Sequence, residues 1–98
     1  MIRHTVVFAL VHPHGSDAER AFLSDARAAL EEIPGVEKFE QLRQVSDKNA
    51  YRFGFSMEFA DRKAYAAYDS HPRHVAFVQD RWNREVETFL EIDYEPLD

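Results

Sequence analysis

The chain has 98 residues and a formal net charge of −6, enough for one domain with a folded surface of roughly 5,800 Å² by size scaling. It has no cysteine, which excludes a disulfide framework, a thiol nucleophile and a thiolate metal site. The acidic balance argues against nonspecific nucleic-acid binding, and no apolar run approaches the ~18 residues of a membrane span.

Residues 2–12 read as a strand, because the run is short, apolar and β-branched and stops before Pro13. Ile2, His4, Val6, Phe8 and Leu10 share one face; Arg3, Thr5, Val7, Ala9 and Val11 share the other. Neither face stays polar for long, so cover on both sides is expected. The opening residues, Met1 to Phe8, lack a basic stretch and a small-residue cleavage site, which makes cytoplasm the expected compartment.

His12-Pro13-His14-Gly15 is a turn by its Pro and Gly. Ser16 and Glu19 have the spacing of a capping box. A helix follows to about Glu32, with Phe22, Leu23, Ala26, Leu30 and Ile33 as its apolar stripe. Pro34-Gly35 ends it. Residues 36–46 form a more polar strand, suited to a sheet edge. Phe39, Gln41, Arg43 and Val45 lie on one face; Val36, Lys38, Glu40 and Leu42 lie on the other.

After an Asp47-Lys48-Asn49 turn, residues 51–59 alternate cleanly. Tyr51, Phe53, Phe55, Met57 and Phe59 face one way; Arg52, Gly54, Ser56 and Glu58 face the other. Asp61 caps a short helix through Tyr68, which Ser70-His71-Pro72 interrupts. Pro72 suits the first position of a new helix through Val75, Val78, Trp82 and Val86. Residues 89–94 form the last strand.

The order β-α-β-β-α-α-β predicts an α+β domain: a ferredoxin-like, four-stranded antiparallel sheet with helices on one face. The other face is then bare, and the chain has no spare element to cover it. A second copy of the chain is the simplest cover, so a homodimer is expected.

Four segments resemble the stress-responsive A/B barrel domain family, Dabb: Ile2 to Phe8, Ile33-Pro34-Gly35-Val36, Tyr65 to Val78, and Ile92-Asp93-Tyr94-Glu95. Together they span nearly the whole chain, 1–98, as a single domain of that family. The His71-Pro72-Arg73-His74-Val75 segment is the most specific part. The resemblance implies a dimeric α/β barrel in which two sheets face each other. Some plant members are polyketide cyclases that use no cofactor and rely on histidine acid–base catalysis. Carried over, their histidines fall on His4 and His74, and their tyrosine on Tyr68. A further pocket histidine of the cyclases falls on Phe53, where this sequence departs.

On residue chemistry alone, His4 is either an acid or base at the sheet wall or a core histidine with one satisfied hydrogen bond. His74 lies just inside a helix N-terminus, which opposes imidazolium and suits a neutral base; the structural alternative is a bond to a neighbouring loop. His71 and Pro72 are assigned to starting that helix. Tyr68 is either a hydrogen-bond donor to a ligand oxygen or a half-buried helix residue with its hydroxyl in water. Phe53, Phe77, Val78 and Trp82 line a candidate pocket for a small apolar or aromatic molecule, or fill the core outright. His12-x-His14 supplies too few ligands for a metal, so no metal site is expected.

There is no phosphate-binding loop, serine nucleophile elbow or dinucleotide fingerprint. Two functions therefore compete. One is a dimeric binding protein with no assigned reaction. The other is a cofactor-independent enzyme using His4 and His74 for cyclisation, aldol or isomerisation chemistry, or, by fold analogy, monooxygenation.

Overall fold

The computed structural model describes all 98 residues. In chain order the elements are β1 (Ile2–Leu10), α1 (Asp17–Leu30), β2 (Glu37–Arg43), β3 (Phe53–Phe59), α2 (Arg62–Asp69) and α3 (Pro72–Phe77). A π-helical turn, Val78–Trp82, leads into the single α turn α4 (Asn83–Glu85), and β4 (Val86–Tyr94) closes the chain. The strands make one antiparallel sheet in the order β2-β3-β1-β4, the ferredoxin-like arrangement expected. No helix is long and apolar enough to cross a membrane.

Alternation decides what each strand buries. On β1, Ile2, His4, Val6 and Phe8 are buried toward the helices. On β3, Phe53, Phe55, Met57 and Phe59 join them. From α1, Phe22, Ala26 and Leu30 close the core from above. Ring centroids of Phe8 lie 4.8 Å from Phe55 and 5.0 Å from Trp82. The opposite face behaves differently: Arg3 is exposed and Thr5 and Val7 are only half-buried, with Ala9 alone buried at its end. Cover on both faces is therefore not supplied within the chain. The surface of 6444 Å² exceeds the roughly 5,800 Å² expected from size, as an open sheet face requires.

Local chemistry sets most boundaries. Ser16 Oγ accepts the Glu19 N–H at 3.2 Å. The Glu19 carboxylate reaches back one residue further than a capping box requires, accepting the Gly15 N–H at 3.0 Å. Gly35 adopts φ +92, a left-handed conformation suited to glycine, and brings the chain back beneath α2 beside Ala64. On β2 an extra residue sits between the pairs Glu37↔Glu58 and Glu40↔Ser56, a bulge at which Lys38 takes φ 51.

Two expectations need correction. The helix after Pro72 is not uniform, because it widens into the π-turn at Val78. The last strand begins at Val86 rather than residue 89, because Val86 pairs with Leu10 across an irregular register.

The π-turn also places a polar network at the helix end. Arg81 donates to Glu85 and Asp25, and His12 Nε2 lies 2.7 Å from Glu85 Oε1. The Arg81 guanidinium holds the Glu85 carboxyl below its ordinary range, against the opposing effect of burial. A folded-state pKa that is depressed gives stability present above the unfolded value, ~4.3, and lost as pH falls through the folded one. Thermal melts from about pH 6 to about pH 3 should therefore show a steeper loss of Tm for the native protein than for Glu85→Gln.

Candidate functional site

His4 and Asp93 face each other across the β1–β4 ladder, so both side chains point to the helix side. His4 Nδ1 lies 2.6 Å from Asp93 Oδ1. The Tyr65 hydroxyl, carried by α2, donates to Asp93 Oδ2 at 2.9 Å, and its oxygen sits 3.1 Å from the same imidazole nitrogen. An ionised carboxylate can only accept, so Nδ1 is a protonated nitrogen, and in the neutral ring Nε2 is the free acceptor. His4 is 5% exposed. Burial first, then the bond to Asp93 and nearby carboxylates, push the Tyr65 phenol far above its ordinary range. It is a fixed donor.

Three residues on, Tyr68 continues the same helix face. Its ring centroid is 6.2 Å from that of His4 and 4.6 Å from that of His74. The alternative of a half-buried Tyr68 is corrected: it is 2% exposed and packs on Phe59 at 5.0 Å. Burial, with Asp69 and Glu91 nearby, raises its phenol well above the ordinary range.

His71 occupies the N-cap of α3, its Nδ1 accepting the Arg73 N–H at 3.1 Å, and Pro72 takes the first helical position. One turn on, His74 Nδ1 donates to the Asp69 carbonyl at 2.9 Å. A carbonyl only accepts, so Nδ1 is protonated here too, and in the neutral ring Nε2 is the free acceptor.

The structure thus brings His4, Tyr68 and His74 into one row. None of the two Nε2 atoms and the Tyr68 hydroxyl makes a hydrogen bond within the chain. Yet no buried side-chain nitrogen or oxygen lacks a partner. These three polar atoms therefore keep some contact with solvent. Beside the row, a cleft of about 240 Å³ is lined by Ile2, Arg62, Tyr65, Asp93, Tyr94 and Glu95.

The four apolar pocket candidates lie elsewhere. Phe53 and Phe77 are core residues, and Trp82 packs against Phe8, Phe55 and Phe22. Val78, half-buried, begins the π-turn. That end of the helix–sheet space is filled by side chains. Phe77, Val78 and Trp82 line none of the four main clefts, nor do His4, Tyr68 and His74, whereas Phe53 edges two of them. His12 and His14 contribute to no cluster able to hold a metal ion. They line a polar cleft of about 510 Å³ at the far end of β1.

Sequence reasoning missed the roles of Tyr65 and Asp93. The signal for Tyr65 was its spacing from Tyr68, three residues on a helix face. Asp93 acquires its role only from the β1–β4 register, which alternation alone does not fix.

A single four-stranded antiparallel sheet with its helices on one face makes this a ferredoxin-like α+β domain. The chain belongs to the stress-responsive A/B barrel domain family, Dabb, which matches residues 2–96. It is 63% identical to a Dabb family protein with a ferredoxin-like fold from Mesorhizobium loti, covering 99% of this chain and 97% of that one, with a TM-score of 0.98. A protein of Arabidopsis thaliana has 22% identity and a TM-score of 0.85, covering 100% and 97%. A dimeric protein of unknown function from Bacteroides fragilis has 21% identity and a TM-score of 0.75, covering 97% and 95%. No curated protein matches the chain.

Proposed function

We propose that this chain, as one domain, forms a cytoplasmic homodimer that binds a small aromatic or apolar ligand carrying a hydroxyl or carbonyl. The site is the His4–Tyr68–His74 row. The observation that carries this reading is the set of three unpaired polar atoms: two imidazole Nε2 acceptors and one phenol donor. They have no partner in the chain, and aromatic rings surround them. A ligand hydroxyl can donate to Nε2 while its ring packs on Ile2 and Tyr65 in the neighbouring cleft. The ligand reads the row rather than Phe77, Val78 and Trp82, whose surroundings are filled by Phe8, Phe22 and Phe55. The homodimer is supported by the apolar bare face and by the dimeric relative from Bacteroides fragilis.

A second reading is favoured by one distance. Asp93 lies 2.6 Å from His4 Nδ1, the arrangement that orients an imidazole as a general base and stabilises it once protonated. With Tyr68 kept protonated as a donor to a carbonyl oxygen, the row could then enolise or cyclise its ligand. This chemistry needs only the chain's own imidazoles and phenol.

Calorimetric titration with 2-naphthol, a neutral aromatic alcohol, tests the binding reading. Saturable binding is expected, weakened about two- to tenfold in His74→Ala, since a hydrogen bond is worth about 0.5–1.5 kcal/mol net. Equal affinity in the variant, or no heat at millimolar probe, contradicts it. Turnover of a carbonyl-bearing aromatic lost in Asp93→Asn would favour the second reading.

A further inference from the structure

Gly54 stands in the middle of β3, paired with Val7 on one side and Leu42 on the other. Glycine costs stability inside a strand, where it adds backbone entropy and packs nothing. Nothing in the chain demands it here. Its φ is not left-handed. A Cβ at this position would meet the Val6 carbonyl oxygen at 3.5 Å and Val7 Cγ1 at 3.6 Å, ordinary contacts. The residue leaves a recess in the bare sheet face. A cleft of about 240 Å³ lies there, with Val7, Leu42, Tyr51 and Gly54 in its wall.

The same face carries projections. Leu90, paired with Val7, is 48% exposed, and Ile92, paired with Thr5, is 40% exposed. Its polar groups are largely spent within the chain. Arg3 pairs with Glu58 at 2.6 Å, Lys38 approaches Glu58 at 3.6 Å, and the Thr5 hydroxyl donates to the Ile92 carbonyl at 2.6 Å. Such a face offers little to a charged peptide or nucleic acid. One that carries both recess and projections is complementary to a copy of itself.

We propose that Gly54 is the receiving hole of the copy-to-copy interface. An apolar side chain from the bare face of a second copy seats between Val7 and Leu42, in the volume a side chain on residue 54 would occupy. The inference rests on the homodimer reading above and assigns that interface its fitting point. Glycine is kept in the strand because the close approach comes from outside the chain.

Sedimentation equilibrium on the native protein, Gly54→Ala and Gly54→Val tests it, with circular dichroism confirming that each variant is folded. The native protein is expected to be dimeric at micromolar concentration. Gly54→Val should raise the dimer dissociation constant by roughly tenfold or more, as overpacking an interface does. Gly54→Ala, whose added methyl has room within the chain, should weaken it less while the fold stays intact, and gives the same readout if the valine variant does not fold. A native dimer with unchanged dissociation constants in the variants overturns the role of Gly54 and leaves the homodimer standing. A native protein that is monomeric at 100 μM (about the top of the useful range) overturns both.

Discussion

Leu90→Asp should abolish self-association while leaving the subunit folded. Leu90 sits on β4 beside Val7, in the central row of the bare sheet face, and is about half exposed in the single chain. A carboxylate there costs the isolated subunit little, because water still reaches it. In a dimer formed through this face the same carboxylate is buried without a partner. An uncompensated buried charge costs about 3–5 kcal/mol, and two-fold symmetry repeats the cost in both subunits. The dissociation constant should rise by about a thousandfold or more. Light scattering should show half the native mass at micromolar concentration, with an unchanged far-ultraviolet spectrum. A native-like dimer of the variant would contradict the assignment of this face.

Phe8→Ala should have the largest effect on the fold itself. Phe8 is fully buried at the centre of β1 and is ringed by Phe22, Phe53, Phe55 and Trp82. Four aromatic neighbours cannot all collapse into the space one ring leaves. The expected cost is about 3–5 kcal/mol, a large share of the ~5–15 kcal/mol that holds a domain of this size. Urea unfolding at a fixed protein concentration measures it, because association adds a concentration-dependent contribution. A loss under about 1 kcal/mol would mean that Phe8 is not the packing centre described here.

The fold was legible because its main signals are periodic. Strict alternation on β1 and β3 assigned their faces, and Ser16, Asp61 and Pro72 marked helix starts that all hold. The bare second face of β1 was also legible, since Val7 is apolar and only half-buried, although Ala9 further along that face is buried within the chain. Other features were not. The bulge at Lys38 and the π-turn at Val78 are single-residue insertions into regular ladders, and both arise from tertiary fit. Val86 continued the helical spacing of Val75, Val78 and Trp82 on paper, yet pairing with Leu10 drew it into the sheet.

The candidate site was half legible. His4, Tyr68 and His74 do meet in one row. Their supports could not be read from the sequence, because Asp93 reaches His4 only through the strand register. Phe53, Phe77, Val78 and Trp82 show the converse limit. Aromatic spacing on a helix or strand suits a pocket wall and a packed core equally, and here Phe8, Phe22 and Phe55 supply the rings that fill the space.

The most direct test of the site is nitrogen-detected NMR of the histidine rings, before and after adding 2-naphthol. The arrangement predicts that His4 and His74 both carry their proton on Nδ1. Both Nε2 signals should shift as the probe saturates the row. A neutral ring protonated on Nε2 in place of Nδ1, or signals that do not move at saturating probe, would contradict the assigned row.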